Sequence, residues 1–251
     1  MIHSFTYKGR DSREFGLYIT NKESYNKPSR NIDFKPVPGR NGAVIIDNGG
    51  YENLDVSLSV RLFVPQIAAE WDNHDFSYAY SKVTEWICGD AGYYVYTDTY
   101  DPDYYRLGCI KSGIKVNQRR KDVADLTFSF SFKPYKYRLY SPKVTATRST
   151  SIENPEQYSS LPLLRVYTDI TYHSNVETRH YFSINNKTYR IDNINGYVDV
   201  DCERMDAFKG ATNMNNNYKS DNFPVLIAGR NTITPVSHVS KIDVTPRWRA
   251  I

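Results

Sequence analysis

A chain of 251 residues is long for one domain and comfortable for two, and it can bury a core without disulfide staples. Tyrosine, at 22 residues, far outnumbers methionine and cysteine, at three each, and with Thr, Val and Ile it suits a half-buried pleated surface. Residues 1–140 carry 19 basic and 17 acidic side chains and residues 141–251 carry 13 and 11, an excess that would release few counterions from a phosphate backbone and argues against a dedicated nucleic-acid binder.

The N-terminus MIHSFTYKGRDS has no apolar signal-peptide core, and no apolar run approaches the roughly 20 residues that span a bilayer, so the expectation is a soluble chain made without a secretion signal. Cys88, Cys109 and Cys202 are odd in number and far apart, which suggests neither a disulfide framework nor a zinc site. In PGRNGAVIIDNGGYENLDVSLSV, residues 38–60, two Asn-Gly steps bracket a short apolar burst. Asn48-Gly49 offers the positive φ values of a tight turn, which predicts that Ala43–Asp47 folds back on the segment from Tyr51. Leu54, Val56, Leu58, Val60 and Leu62 then alternate with Asp55, Ser57, Ser59 and Arg61, the period of a strand with one wet face.

Phe76, Ala79, Tyr80, Val83, Trp86 and Ile87 follow helical spacing, with Asp72 or Asn73 placed to cap the start and Gly89 to end it. That stripe reads as core packing rather than a cofactor face. Leu126, Phe128, Phe130 and Phe132 alternate against polar neighbours and form a second amphipathic strand, placed to pair with the first or to face it across one core. The stretch from Lys133 to Pro162 loses period, gathers Pro, Ser and Thr, and reads as a linker. Short strands follow at Leu163–Tyr167, Tyr181–Ile184, Thr188–Ile191, Tyr197–Cys202, Phe223–Ile227 and Lys241–Val244, with a turn at Asn185-Asn186 and an Asn-rich exposed loop over residues 210–222; the spacing suggests a sandwich.

Little chemistry is visible. His3, His74, His173, His180 and His238 are scattered and sit in no metal or triad context. Asp98, Asp101 and Asp103 present carboxylates that would suit Ca²⁺, but the Gly and distal Glu of an EF-hand loop are missing and an acidic turn is favoured. Arg119-Arg120-Lys121 is a short basic cluster, read as a solvated turn against a charge that faces a channel or partner, and the Asn186-Lys187-Thr188 sequon marks only an exposed turn. No pair of carboxylates stands out for glycoside hydrolysis. Tyr93, Tyr94, Tyr96, Tyr100, Tyr104 and Tyr105 crowd into thirteen residues and are the candidate interface residues, with stacking on a sugar ring as the competing reading.

With those residues in view, the chain resembles the distal tail (Dit) proteins of long-tailed bacteriophages and prophages. The likeness rests on EFGLYIT, the PGRNGAVIIDNGGYENLDVSLSV segment, the helix, DPDYY and the close FPVLIAGRNTITPVSHVSKIDVTPRWR, taken in order. It implies a mainly β (β-rich α+β) protein: an N-terminal β-sandwich or barrel-like domain with one helix, residues 1–140, and a C-terminal galectin-like β-sandwich, residues 141–251. It further implies a homo-hexameric ring in the virion that joins the tail tube to the tail-associated hub and to receptor-binding or baseplate proteins. Phage DNA would pass through the channel without sequence-specific contact. The family has no catalytic, cofactor or metal residues to carry over, and the alternative function is a carbohydrate-binding β-sandwich that recognises the host cell wall.

Overall fold

The computed structural model describes residues 3–23, 26–64, 76–120, 122–170 and 177–251, the backbone alone at 118 and 119. The chain is mainly β, with several antiparallel sheets. It divides into two compact units, residues 1–136 with Ile251, and residues 137–250.

In the first unit the two amphipathic segments form the strands Leu54–Phe63 and Val123–Arg138, and they pair antiparallel with Phe128 opposite Leu58. Every second side chain of both, from Leu54 to Leu62 and from Ala124 to Phe132, is buried. The sheet runs in the order Arg10–Asp11, Phe5–Tyr7, Tyr94–Asp98, Tyr104–Ile110, Val123–Arg138, Leu54–Phe63, Leu17–Lys22. A bridge between His3 and Ile19, with Ile19 N donating to His3 O at 2.8 Å, joins its two ends and makes the unit barrel-like. A sheet closed on itself leaves no edge along most of its length.

The helix Phe76–Cys88 buries Phe76, Ala79, Val83, Trp86 and Ile87 against this sheet and stops at Gly89, as its spacing predicts. The proposed caps Asp72 and Asn73 lie outside the described residues. Trp86 stacks on Phe15 at 4.3 Å and donates from Nε1 to Tyr7 O at 3.1 Å, so both its ring and its polar handle are satisfied. Phe132 lies across the strand Tyr104–Ile110 at Gly108, where a Cβ would come within 2.5 Å of the Phe132 ring. Only glycine admits that approach.

Three expectations need correction here. Asn48-Gly49 is not a hairpin turn: Ala43–Tyr51 is one strand, paired with Arg30–Pro36, and the turn lies at residues 37–42. Gly49 and Gly50, at φ +76° and +72°, instead absorb a register shift between Arg30 and Ile32, and Asn48 does not take the positive φ that a tight turn there requires. The linker reading from Lys133 also fails. Lys133–Arg138 continue the long strand, and Val144–Ala146 and Thr150–Asn154 are strands of the second unit.

That unit is a sandwich. One sheet runs Val144–Ala146, Val239–Thr245, Leu163–Thr168, Tyr197–Asp201, Asp206–Lys209, Thr212–Asn213, and the other Thr150–Asn154, Gly229–Pro235, Arg179–Ile184, Lys187–Asp192. Leu164, Val166, Val198, Val200, Ile242 and Val244 from the first meet Phe182, Ile184, Ile191 and Ile233 from the second in a single core. Asn185 and Asn186, at φ +50° and +65°, make the predicted two-residue turn. Phe223–Ile227 is no strand, however. Pro224 lacks an N–H for a ladder, and only Leu226 pairs, with Ser160. The buried side-chain amides of Asn154 and Asn231 hold the loop instead, each donating to Ile227 O, at 3.2 and 2.9 Å. Trp248 completes the core of this unit, and Arg247 beside it makes a two-pronged pair with Asp201 at 2.7 and 3.0 Å.

Candidate assembly surface

The segments Arg30–Pro36 and Ala43–Tyr51 form a two-stranded ribbon that no other strand joins among the described residues. Pairing of Phe34 with Ile45, and of Ile32 with Asp47, puts Ile32, Phe34, Ala43 and Ile45 on one face. Phe34 is 61% and Ile45 62% exposed, with Val37 and Ile46 also in solvent. The opposite face carries Asp33 and Lys35 with their partners Ile46 and Val44. Charges steady the base: Arg30 meets Asp47 at 2.5 Å, Asn48 donates to Asp33 at 3.0 Å, and Tyr51 packs edge-on against Tyr135. An isolated two-stranded ribbon is marginal in water, and a contiguous apolar face on it marks a contact surface. The sequence held the signal in the alternation Ile32, Phe34, Pro36 and in the burst Ala43-Val44-Ile45-Ile46, but the misplaced turn hid it.

The six candidate tyrosines do not share one surface. Tyr96 is the correction among them: at 2% exposure it lies in the core against Phe5, Phe130 and Phe132, because it sits mid-strand on the inward face of Tyr94–Asp98, which Tyr94 shares at the strand's half-buried start. Burial, with Asp98 beside it, holds its phenol well above the usual range. Tyr93 and Tyr100 are exposed, while Tyr94, Tyr104 and Tyr105 are half-buried. Their rings are partly taken: His3 stacks on Tyr100 at 4.1 Å, Lys8 lies 4.9 Å over Tyr94, Lys136 3.9 Å over Tyr104 and Lys133 5.3 Å over Tyr93. The sandwich repeats the pattern, with Lys241 4.2 Å over Tyr167 and Arg165 4.4 Å over Tyr197.

The acidic segment behaves as a turn. Asp98 accepts from Tyr100 N at 2.9 Å and Asp101 N at 3.2 Å and pairs with Lys22, while Asp101 pairs with Lys136 at 2.6 Å. Arg120 N donates to Val123 O at 2.7 Å, and Lys121 lies outside the described residues. Two described histidines meet, His180 and His238, edge-on with ring centroids 6.4 Å apart, but among the described residues no three His, Cys, Asp or Glu side chains gather as a metal site. His3 belongs to the barrel rim, His180 is fully buried with Nδ1 3.2 Å from Ile191 O, and His238 lies 3.9 Å from Asp169; His74 and His173 fall outside the described residues. Cys202 is buried, and burial raises its thiol pKa far above the ordinary value.

No protein-family model and no curated protein sequence matches the chain. Among solved structures it is similar to the Dit protein of phage SPP1, described as a paradigm of the hub adsorption apparatus in phages that infect Gram-positive bacteria. The TM-score is 0.73 at 14% identity, with 100% of both chains covered. Over its whole length, therefore, the chain has the fold of a phage Dit protein.

Proposed function

We propose that this chain is a structural protein of a bacteriophage tail, six copies of which close into a ring at the distal end of the tail tube. In this reading the ring contacts lie in the barrel-like unit, and the second unit is a galectin-like sandwich that projects outward. The tail tube binds one side of the ring, and the tail-associated hub and receptor-binding proteins bind the other. The chain performs no chemistry in this role, and it reaches the virion from the host cytoplasm. One observation carries the reading beyond the fold likeness: the apolar face of the Arg30–Tyr51 ribbon, with Phe34 and Ile45 in water, needs a cover that the chain's described residues do not supply. A patch on one copy that fits a different patch on the next makes a head-to-tail contact, which closes as a ring or grows as a filament. The exposed tyrosines Tyr93 and Tyr100 widen the surface open to such contacts.

Negative-stain images of the purified chain, alone and mixed with a tail-tube protein, test this. Discrete rings with a central opening are expected. Retention of a lone monomer on cell-wall polysaccharide, without rings in either sample, would favour the carbohydrate-binding alternative instead.

A further inference from the structure

Three Asn-Gly steps occur in the chain, Asn41-Gly42, Asn48-Gly49 and Asn195-Gly196. Glycine has no Cβ, so the main-chain nitrogen that follows each asparagine can approach the asparagine side-chain carbon Cγ with little hindrance. All three asparagines are exposed, so exposure does not separate them. Their hydrogen bonds do.

Asn48 is held within the strand Ala43–Tyr51. Its Nδ2 donates to Asp33 at 3.0 Å, and Gly49 N donates to the Asp47 carboxylate at 3.0 Å. That nitrogen must shed its proton before it can attack, and a bond to a carboxylate keeps the proton in place. Asn195 is held through its main chain. Its carbonyl accepts from Tyr197 N at 2.9 Å and from Lys209 Nζ at 2.6 Å, and Gly196 O accepts from Thr168 N at 3.0 Å, which fixes the peptide units on both sides of Gly196. Asn41 differs. It lies in the turn at residues 37–42, where Arg40 N donates to Val37 O at 3.2 Å, and among the described residues neither its side chain nor Gly42 N has a hydrogen-bond partner. Gly42, at φ +85°, has open space where a Cβ would stand.

We propose that Asn41 is a modification site, at which the folded chain converts an amide to an acid without an enzyme. Gly42 N gives its proton to a base in the solvent and attacks Asn41 Cγ; the N–Cγ bond forms, the Cγ–Nδ2 bond breaks, and Nδ2 leaves as ammonia. The cyclic succinimide then takes up water at either ring carbonyl and opens to aspartate or to isoaspartate, in which the main chain runs through the side-chain carbon. Water is consumed, ammonia is released, and nothing is oxidised or reduced. The product carries a carboxylate at the tip of the apolar ribbon. The site stands whether or not the chain forms a ring.

The test keeps the full chain in mildly alkaline buffer, folded and in parallel in urea, and follows the amide-to-acid mass gain at each of the three asparagines by peptide mass mapping. In urea the three should convert at similar rates, because glycine follows each. In the folded chain Asn41 should stay close to its urea rate, whereas Asn48 and Asn195 should slow by about tenfold or more, the scale of the hydrogen bonds each would have to give up. In Asn41→Gln the fast conversion should vanish, because glutamine would have to close a larger ring, while Asn48 and Asn195 keep their slow rates. A folded chain in which Asn41 lasts as long as Asn48 and Asn195, or a fast conversion that persists in Asn41→Gln, would overturn the proposal.

Discussion

At the residue scale, two buried rings show how much one side chain decides. Trp86 is 8% exposed, stacks on Phe15 and ties the helix to the strand Phe5–Tyr7 through Tyr7 O. Trp86→Ala removes the stack and strands that carbonyl, so the barrel-like unit should lose roughly 3–5 kcal/mol, the cost of a large aromatic cavity. Urea unfolding of the full chain reads this directly; a midpoint equal to the parent's would put Trp86 outside the core. His180 acts through charge. It is fully buried, its Nε2 meets no partner, and burial holds its pKa below the ordinary imidazole value of 6.5 despite the bond to Ile191 O. The unfolded chain therefore binds this proton first as pH falls. Stability linked to His180 is complete above pH 6.5 and is lost as pH drops from there towards the folded-state value. Melts of the parent and of His180→Gln between pH 7.5 and 5, a window set by the imidazole range, should show a steeper fall in the parent. Parallel curves would contradict the assignment.

At the scale of elements, strong periodicity is legible, whereas turn placement is legible at Asn185-Asn186 and not at Asn48-Gly49. The strands Leu54–Phe63 and Val123–Arg138 and the helix Phe76–Cys88 announce themselves because one face of each is buried, and burial imposes a period on the sequence. The ribbon buries neither face, so no period fixed its register, and Asn48-Gly49 misled because the same positive φ serves a bulge as well as a turn. Gly229–Pro235 and Thr150–Asn154 show no clear period: each is short, and polar residues such as Asn154 and Asn231 point into the sandwich because their amides are satisfied there. Tyr96 looks like its neighbours in composition, and its place in the middle of Tyr94–Asp98, on the inward face, is what buries it. The exposed ribbon also yields a prediction. Phe34→Asp with Ile45→Asp should leave the melting temperature within the scatter of surface changes, about 0.5 kcal/mol. Association should weaken roughly 100-fold or more if both side chains are buried anchors between copies. Sedimentation velocity of the double variant checks this, and unchanged association would remove the ribbon from the interface.

For the whole molecule, the division into two units sets what can be cut apart. The boundary between Lys136 and Tyr137 falls inside the strand Val123–Arg138, and the second unit begins with residues it needs. Tyr137 donates to Glu203 at 2.5 Å, and Ala146 is fully buried. A fragment of residues 137–250 should therefore fold alone, whereas one that starts at Ser149 lacks Val144–Ala146, exposes the edge of Val239–Thr245 and should melt at a lower temperature. Circular dichroism of both fragments decides it, and an unfolded 137–250 fragment would show that the sandwich depends on the rest of the chain. The central claim concerns number. In the proposed ring, copies of the chain would cover the apolar ribbon that lies in water here. The absolute mass of the purified full chain by light scattering, across a dilution series and again with a tail-tube protein present, tests it most directly. The account predicts a discrete species of six chains; a single-chain mass at every concentration in both conditions would contradict it.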